Sequence, residues 1–379
     1  MKVLVLGGAG AVCGHATRDL AAYSDFDEII IGEANVAAAE ALVAEIGDSR
    51  LRVKAVDAND NAALLALIGD SDVVLNGLPW QFDLAVTRAC VEAGVSGLDV
   101  STEESQWDYD ERAREQGIVF IPGVGATPGT TNAMARRGAD LLDEADEVQI
   151  NFAAFRALAP SPGLLAVTLW EFHPDEEDRV YYQNGEFHRV GPFTGLKQVR
   201  FHDQIGRQEV CYIPHAETQT LPRSLGVKAA AVRGCFPPSV MQLMKAMLDS
   251  GLYSEEPLEV NGRGTTALAT MTQLLKAVPQ SYQNDVWAYG LVVEVFGRLN
   301  QRPAKVRLWN EHPPQEAWGG SAAYYKNVGI PLSIGVQMIA RGQIEARGVI
   351  PPETALPPLA FFAELARRDI VIHEAIEEG

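Results

Sequence analysis

At 379 residues the chain is too long for one ordinary hydrophobic core, so two domains are expected, and 47% hydrophobic with 21% charged residues describes a globular protein. No apolar run approaches the roughly twenty residues that span a bilayer, and glycines break the N-terminal run too soon for a signal peptide, so a cytoplasmic protein without a membrane partner is expected. A formal charge of −19 would repel nucleic acid, and the scattered Cys13, Cys90, Cys211 and Cys235 form no C-x-x-C pair, so neither disulfides nor a metal site is expected.

Lys2-Val3-Leu4-Val5-Leu6 is a short apolar run of the kind that forms a buried parallel strand, and Gly7-Gly8-Ala9-Gly10-Ala11-Val12-Cys13-Gly14 follows without a gap. Glycines remove Cβ atoms where a pyrophosphate must approach, and the next helix aims its free N–H groups at it. Gly8, Gly10, Ala11 and Val12 are therefore candidate cofactor contacts. The dinucleotide fingerprint is imperfect, because its third glycine falls on Cys13. A tight turn without a ligand would carry the same glycines, and context separates the two readings. A helix over 11–23 leads to a strand over 28–31 closed by Gly32-Glu33. Glu33 stands about twenty residues past the turn, where a carboxylate accepts from a ribose 2′-hydroxyl. No arginine follows it to offset a 2′-phosphate, so NAD is favoured over NADP.

The alternation continues with helices over 36–46, 62–68, 84–93 and near 109–116, and strands over 52–56, 72–76, 97–100 and 118–121. This pattern predicts an α/β Rossmann-type, doubly wound parallel sheet, whose ligands bind beyond the carboxyl ends of the strands. Asp57 and Ala58 follow the third strand, on the expected adenine side, and Leu78 and Pro79 follow the fourth, on the nicotinamide side. Trp80 would form either a wall of the substrate pocket or packing between domains. The rigid loop from Pro122 to Asn132, with three glycines and two prolines, is the expected crossing to the next domain. A helix is expected to follow it through Leu142.

Beyond residue 147 strand-like segments dominate, at 148–155, 180–183, 186–190, 209–213 and 228–233, with Asn184-Gly185 as a hairpin turn. Helices are expected over 239–248 and 266–277, then a long antiparallel pair from Asp285 to Arg298 and from Ala304 to Trp309. This predicts an α+β domain with a mixed, largely antiparallel sheet. Helices over 331–340 and 359–368 and a short strand over 370–372 close the chain. The expected division is a dinucleotide-binding domain over 1–130, completed by 320–379, and a substrate-binding and dimerisation domain over 131–319.

Several stretches resemble the saccharopine dehydrogenase-like oxidoreductases, which include lysine 6-dehydrogenase and saccharopine reductase. They are Val3 to Val12, Asp72 to Pro79, Ala93-Gly94-Val95 with Asp99-Val100-Ser101, Ile121 to Asn132, and the series Gly329-Ile330-Pro331, Met338 to Gly342 and Gly348 to Glu353. The resemblance implies nicotinamide-dependent chemistry at a carbon–nitrogen bond of an amino acid or polyamine-like substrate, lysine or saccharopine among them, in a homodimer. Thr127 stands where several members carry an aspartate before Pro-Gly, which leaves the substrate open. Such chemistry needs a proton-handling group, and an amino-acid carboxylate needs an arginine fork. The polar stretch from His215 to Arg223 brings an imidazole, a carboxylate and a guanidinium close in sequence. Arg223 or Arg233 is expected to bind a carboxylate, with Asn132 and Trp80 as further substrate contacts, while His215 or Glu217 handles protons and Asp99 is a rival base. Two other readings use the same fold: redox-neutral alkyl transfer resembling homospermidine synthase, and a silent NAD-binding dimer.

Overall fold

A computed structural model describes residues 1–277 and 286–378; the expected strand start at Asp285 lies outside the described residues. The chain divides into two units, Met1–Asp140 with Tyr325–Ile372, and Leu141–Tyr324 with the residues from His373 onward.

The N-terminal part runs β1 (Lys2–Leu6), α1 (Cys13–Tyr23), β2 (Glu28–Glu33), α2 (Val36–Ile46), β3 (Leu51–Ala55), α3 (Asn61–Gly69), β4 (Val73–Asn76), α4 (Asp83–Ala93), β5 (Ser96–Asp99), α5 (Asp110–Glu115), β6 (Val119–Ile121) and α6 (Thr130–Asp140). The middle runs β7 (Glu144–Phe155), α7 (Pro162–Glu171), β8 (Val180–Gln183), β9 (Glu186–Arg189), β10 (Lys197–Arg200), β11 (Arg207–Tyr212), α8 (Glu217–Leu225), β12 (Ala229–Cys235) and α9 (Pro238–Asp249). It continues with β13 (Leu258–Val260), β14 (Arg263–Thr265), α10 (Ala267–Ala277), β15 (Ala288–Leu299), β16 (Arg302–Glu311) and α11 (Gln315–Trp318). The chain closes with α12 (Ala322–Ala340), β17 (Gly348–Val349), α13 (Pro352–Ala355), α14 (Pro358–Ala366) and β18 (Val371–Glu378).

In the first unit the strands form a parallel sheet in the order β17-β6-β5-β4-β1-β2-β3. Val3, Leu4, Val5, Ile29, Ile31, Val73 and Val74 are fully buried, as expected of parallel strands covered on both faces. Helix starts and stops follow local chemistry: the Asn35 side chain accepts from Ala38 N to open α2, Asp60 does the same for α3, and left-handed Gly94 ends α4. The doubly wound sheet anticipated from the strand–helix alternation is the one observed.

In the second unit the sheet runs β10-β11-β12-β7-β15-β16-β18, with β8 also on β12 and β9 on β8. It is mixed and mostly antiparallel, β12 and β7 forming a parallel pair. The β8–β9 turn uses Asn184 and Gly185 with φ of 52° and 95°, the mirror-image turn that suits strand twist.

Some expectations are corrected. The polar stretch from His215 to Arg223, where no helix was expected, contributes residues 217–223 to α8, which tolerates Pro222 in its interior and ends at left-handed Gly226. Helix α7 was not anticipated, although Ser161 caps it by accepting from Leu164 N and Pro162 opens it. Helix α12 begins at Ala322, so Pro331 lies inside it and not at its start. The last strand is longer than expected and joins the edge of the mixed sheet beside β16, so the residues from His373 onward do not complete the first unit.

Candidate functional site

The strands of the parallel sheet present their carboxyl ends along one edge, and the strand order reverses between β1 and β4. The glycine turn sits at that reversal. Gly7 has φ of 67°, and a Cβ there would lie 2.8 Å from the Gly77 carbonyl oxygen, so the turns after β1 and β4 are in backbone contact. Gly10 N donates to Gly7 O at 2.9 Å and Gly14 N to Gly10 O at 2.7 Å, while the buried Thr17 hydroxyl donates to Gly8 O at 2.8 Å. Gly10 and Ala11 are exposed, Val12 is half-buried, and no side chain caps α1. An open glycine turn beneath an uncapped helix start fits a dinucleotide pyrophosphate.

Cys13 opens α1 and is buried, and burial pushes its thiol up to about 12. A Cβ on Gly77 would collide with the Cys13 sulfur. The close approach that a third glycine would allow on the helix is instead made possible by a glycine on the facing turn. That compensation links residues sixty-odd positions apart, and the motif alone does not reveal it.

Glu33 ends β2, where its Oε1 accepts from Ala34 N at 3.1 Å and Asn35 N at 3.4 Å. Asp57 is exposed and accepts from Asn59 N at 2.9 Å, and Ala58 beside it is half-buried. Leu78 is half-buried, and its N–H donates to Asn76 Oδ1 at 3.2 Å; Pro79 is exposed, and Trp80 is 61% exposed. These candidate cofactor contacts thus all follow the carboxyl ends of β1 to β4.

Two other candidates in this unit are shaped for support. Asp99 is fully buried at the end of β5, where it accepts from Gln106 Nε2, and burial followed by the Asp83 charge raises its pKa well above the carboxylate range. Buried and held by Gln106, this carboxyl group braces the end of β5. Asn132 is also buried: its Oδ1 accepts from Gly129 N at 2.7 Å, and its Nδ2 donates to Glu353 Oε2 at 2.7 Å. Its amide therefore braces the loop after β6.

In the second unit, His215 follows β11 and is stacked on Phe152, with ring centroids 5.0 Å apart. Its Nε2 lies 3.2 Å from Glu171 Oε1, and its Nδ1 lies 3.8 Å from Glu217 Oε2. Burial would lower the imidazole pKa, but the hydrogen bond to Glu171 and the charges of Glu217 and Glu171 outweigh it, so the pKa is raised. The imidazole thus sits between two buried carboxylates, with the buried Arg156 guanidinium in the same neighbourhood. Tyr289 lies in the field of Tyr324, Glu171, Arg156 and Glu217, and its phenol pKa is pushed up, mainly by burial.

Neither predicted arginine joins this cluster. Arg223 is exposed in the last turn of α8, six residues from buried Glu217 and so on a different side of the helix. Arg233 donates through Nε to Gly195 O at 2.9 Å and through its terminal nitrogen to Tyr212 Oη at 2.8 Å, and it lies 4.3 Å over the Tyr212 ring. It staples β12 to β11 and the Gly195 turn. The arginine that shares neighbours with Glu171 and Glu217 is Arg156, 1% exposed, directly after β7. It donates to Thr168 Oγ1 at 2.6 Å and lies 5.4 Å over the Tyr324 ring. Sequence reasoning missed Glu171 and Arg156. Glu171 belonged to an unrecognised helix, and Arg156 showed only as a charge ending an apolar strand.

The glycine turn and the strand order define the first unit as a dinucleotide-binding domain. Residues 3–121 match the saccharopine dehydrogenase NADP binding domain, and residues 166–371 match the saccharopine dehydrogenase C-terminal domain. The chain therefore belongs to the saccharopine dehydrogenase-like family, whose members are NAD(P)-dependent oxidoreductases acting on CH–NH groups. It is 25% identical over 367 residues to carboxyaminopropylagmatine dehydrogenase from a Synechocystis species, covering 90% of this chain and 89% of that one. It is 27% identical over 314 residues to carboxynorspermidine synthase from Vibrio cholerae, covering 73% of this chain and 72% of that one. The fold is similar to apo saccharopine dehydrogenase (L-Glu forming) from Saccharomyces cerevisiae, with a TM-score of 0.74, 15% identity and 99% of both chains covered. It is also similar to homospermidine synthase from Legionella pneumophila in complex with NAD, with a TM-score of 0.62, 14% identity and 99% and 91% covered.

Proposed function

We propose that this protein reduces the imine formed between an amine and a carbonyl compound, or oxidises the resulting secondary amine, with NAD as the preferred cofactor. The observation that carries this reading is the buried His215 held between Glu171 and Glu217. A bound nicotinamide would supply or accept the hydride. The chain would supply the rest: paired carboxylates to hold a cationic amine, and an imidazolium able to give up a proton from a ring nitrogen. The names of the Synechocystis and Vibrio relatives support the polyamine-like side of the expected substrate range, with a carboxylated product. The preference for NAD rests on Glu33, whose carboxylate would accept from a ribose hydroxyl and repel a 2′-phosphate.

The test is turnover by the purified protein with a panel of diamines, agmatine and amino acids, each combined with a carbonyl partner. Net oxidation of NADH in the presence of both partners supports the reading. Product formed without net change in NADH would support redox-neutral alkyl transfer in its place, and cofactor binding without turnover on the whole panel would support a silent dinucleotide binder.

A further inference from the structure

The carboxyl group of Asp83 has no part in the reading above, yet it is fully buried at the first residue of α4. Its two oxygens face the end of β4 and the loop after β5. Oδ1 accepts from Asn76 Nδ2 at 3.2 Å, and Oδ2 accepts from the Ser101 hydroxyl at 2.6 Å. Asn76 in turn accepts the Leu78 N–H on its own Oδ1 at 3.2 Å. A chain of bonds therefore runs from Asp83 through Asn76 to the backbone of the turn after β4. The other arm reaches the loop after β5, where Ser101 O accepts from Gly123 N at 2.8 Å and so touches the loop after β6. The Asp83 backbone is engaged as well, since its carbonyl accepts from Thr87 Oγ1 at 2.9 Å, and Gln106 Nε2 donates to that same Thr87 oxygen at 2.8 Å.

We propose that Asp83 is a positioning residue for the dinucleotide: through Asn76 and Ser101 its buried carboxyl group locks the turns after β4 and β5 into the shape that the nicotinamide half meets. This rests on the reading that the Leu78-Pro79 turn contacts the cofactor. A buried carboxyl group must find donors wherever it lies, and here they come from the end of β4 and from the loop after β5, so one side chain ties the two together. The charged and titratable neighbours are Asp99 from β5, Glu103 from the loop beyond it and, on α4 itself, Cys90, which faces Asp99. Burial, then Glu103, raise the Asp83 pKa against the hydrogen bonds from Ser101 and Asn76. Ionised, Asp83 accepts on both oxygens and ties both loops with charge-assisted bonds; protonated, it turns one oxygen into a donor and loses one tie.

The test measures the Kd of NAD and NADH by calorimetry, from mildly acidic to mildly alkaline pH, for the wild type, D83N and S101A. Loss of one tie is expected to weaken binding about tenfold, the equivalent of a single hydrogen bond. The wild type should bind more tightly as the pH rises, D83N should bind weakly with no such pH dependence, and S101A should lose affinity while keeping part of the dependence. D83N preserves side-chain shape and so guards against a folding defect, which thermal melting of each variant would expose. If D83N matches the wild type in Kd and pH profile, the proposal is overturned while the cofactor reading stands. If the wild type binds neither NAD nor NADP in either redox state, the cofactor reading falls and takes this proposal with it.

Discussion

The His215 imidazole stays protonated above its ordinary range because two buried carboxylates outweigh burial. Its raised pKa adds stability that is fully present below the unfolded histidine value and is lost as the pH rises through the folded one. Replacing Glu171 with Gln removes the strongest of the raising influences, so the titration of His215, followed by NMR, should move to lower pH. The alkaline limb of the rate profile should move with it. His215→Ala is expected to lower kcat about 10²- to 10⁴-fold, the usual range for a lost proton-transfer group, and an unchanged kcat would exclude the assignment. At Glu33 the prediction concerns the choice of cofactor. Glu33→Ser removes a carboxylate that would face a 2′-phosphate, and the ratio of NADPH to NADH affinity should rise on the order of tenfold, the equivalent of about 1.4 kcal/mol for a like-charge repulsion screened by solvent at this half-buried position. Equal ratios in variant and wild type would show that the carboxylate does not face the ribose. Glu33 was legible in the sequence because local spacing from the glycine turn fixes where β2 ends. Glu171 was not, because its meaning depends on lying beside His215, forty-four residues away.

Within the first unit, α1, α12 and the end of α14 are joined by a buried polar knot. Arg368 Nε donates to both oxygens of Asp19, at 2.8 and 2.9 Å, the Ser333 hydroxyl donates to Asp19 Oδ2 at 2.6 Å, and Arg368 also pairs with Glu364 at 2.6 Å. Arg368→Ala would leave Asp19 as an uncompensated buried carboxylate, and denaturant unfolding should show a loss of about 3–5 kcal/mol. An Asp19→Asn, Arg368→Met pair should recover much of that loss, since removing both charges avoids the stranded one. Two of the elements misread from sequence, α8 and α12, share a cause. Helix α8 holds a proline and a polar composition that locally favour a loop, and it forms because Thr218 and Leu221 bury one face. Helix α12 carries Pro331 without ending there, because a 19-residue helix with so many buried positions is sustained by packing. Local signals were reliable where a cap or a turn acted alone, as at Gly94 and Asn184-Gly185, and failed where tertiary burial overrode propensity.

At the scale of the whole chain, β18 guards an edge of the mixed sheet. His373 stacks on Trp309 at 5.3 Å and pairs with Glu311 at 3.1 Å, and Glu377 pairs with Lys305 at 2.8 Å. Its charged side chains suit an exposed edge strand, whereas β16 without it would present unpaired backbone groups. Ending the chain before His373 should therefore cause aggregation, read as light scattering on mild heating, while soluble protein keeps its affinity for NADH. Scattering no greater than that of the wild type would show that the strand is dispensable. Alternating apolar runs, glycine turns and strand-ending acids were enough to specify the doubly wound domain, the cofactor edge and the mixed second sheet. Each of these depends on periodicity and spacing within a few dozen residues. The membership of the polar clusters was not legible in that way. Pairing Cys13 with Gly77 and His215 with Glu171 requires elements distant in the chain to be brought together, and burial then shifts the proton affinity of the groups it encloses.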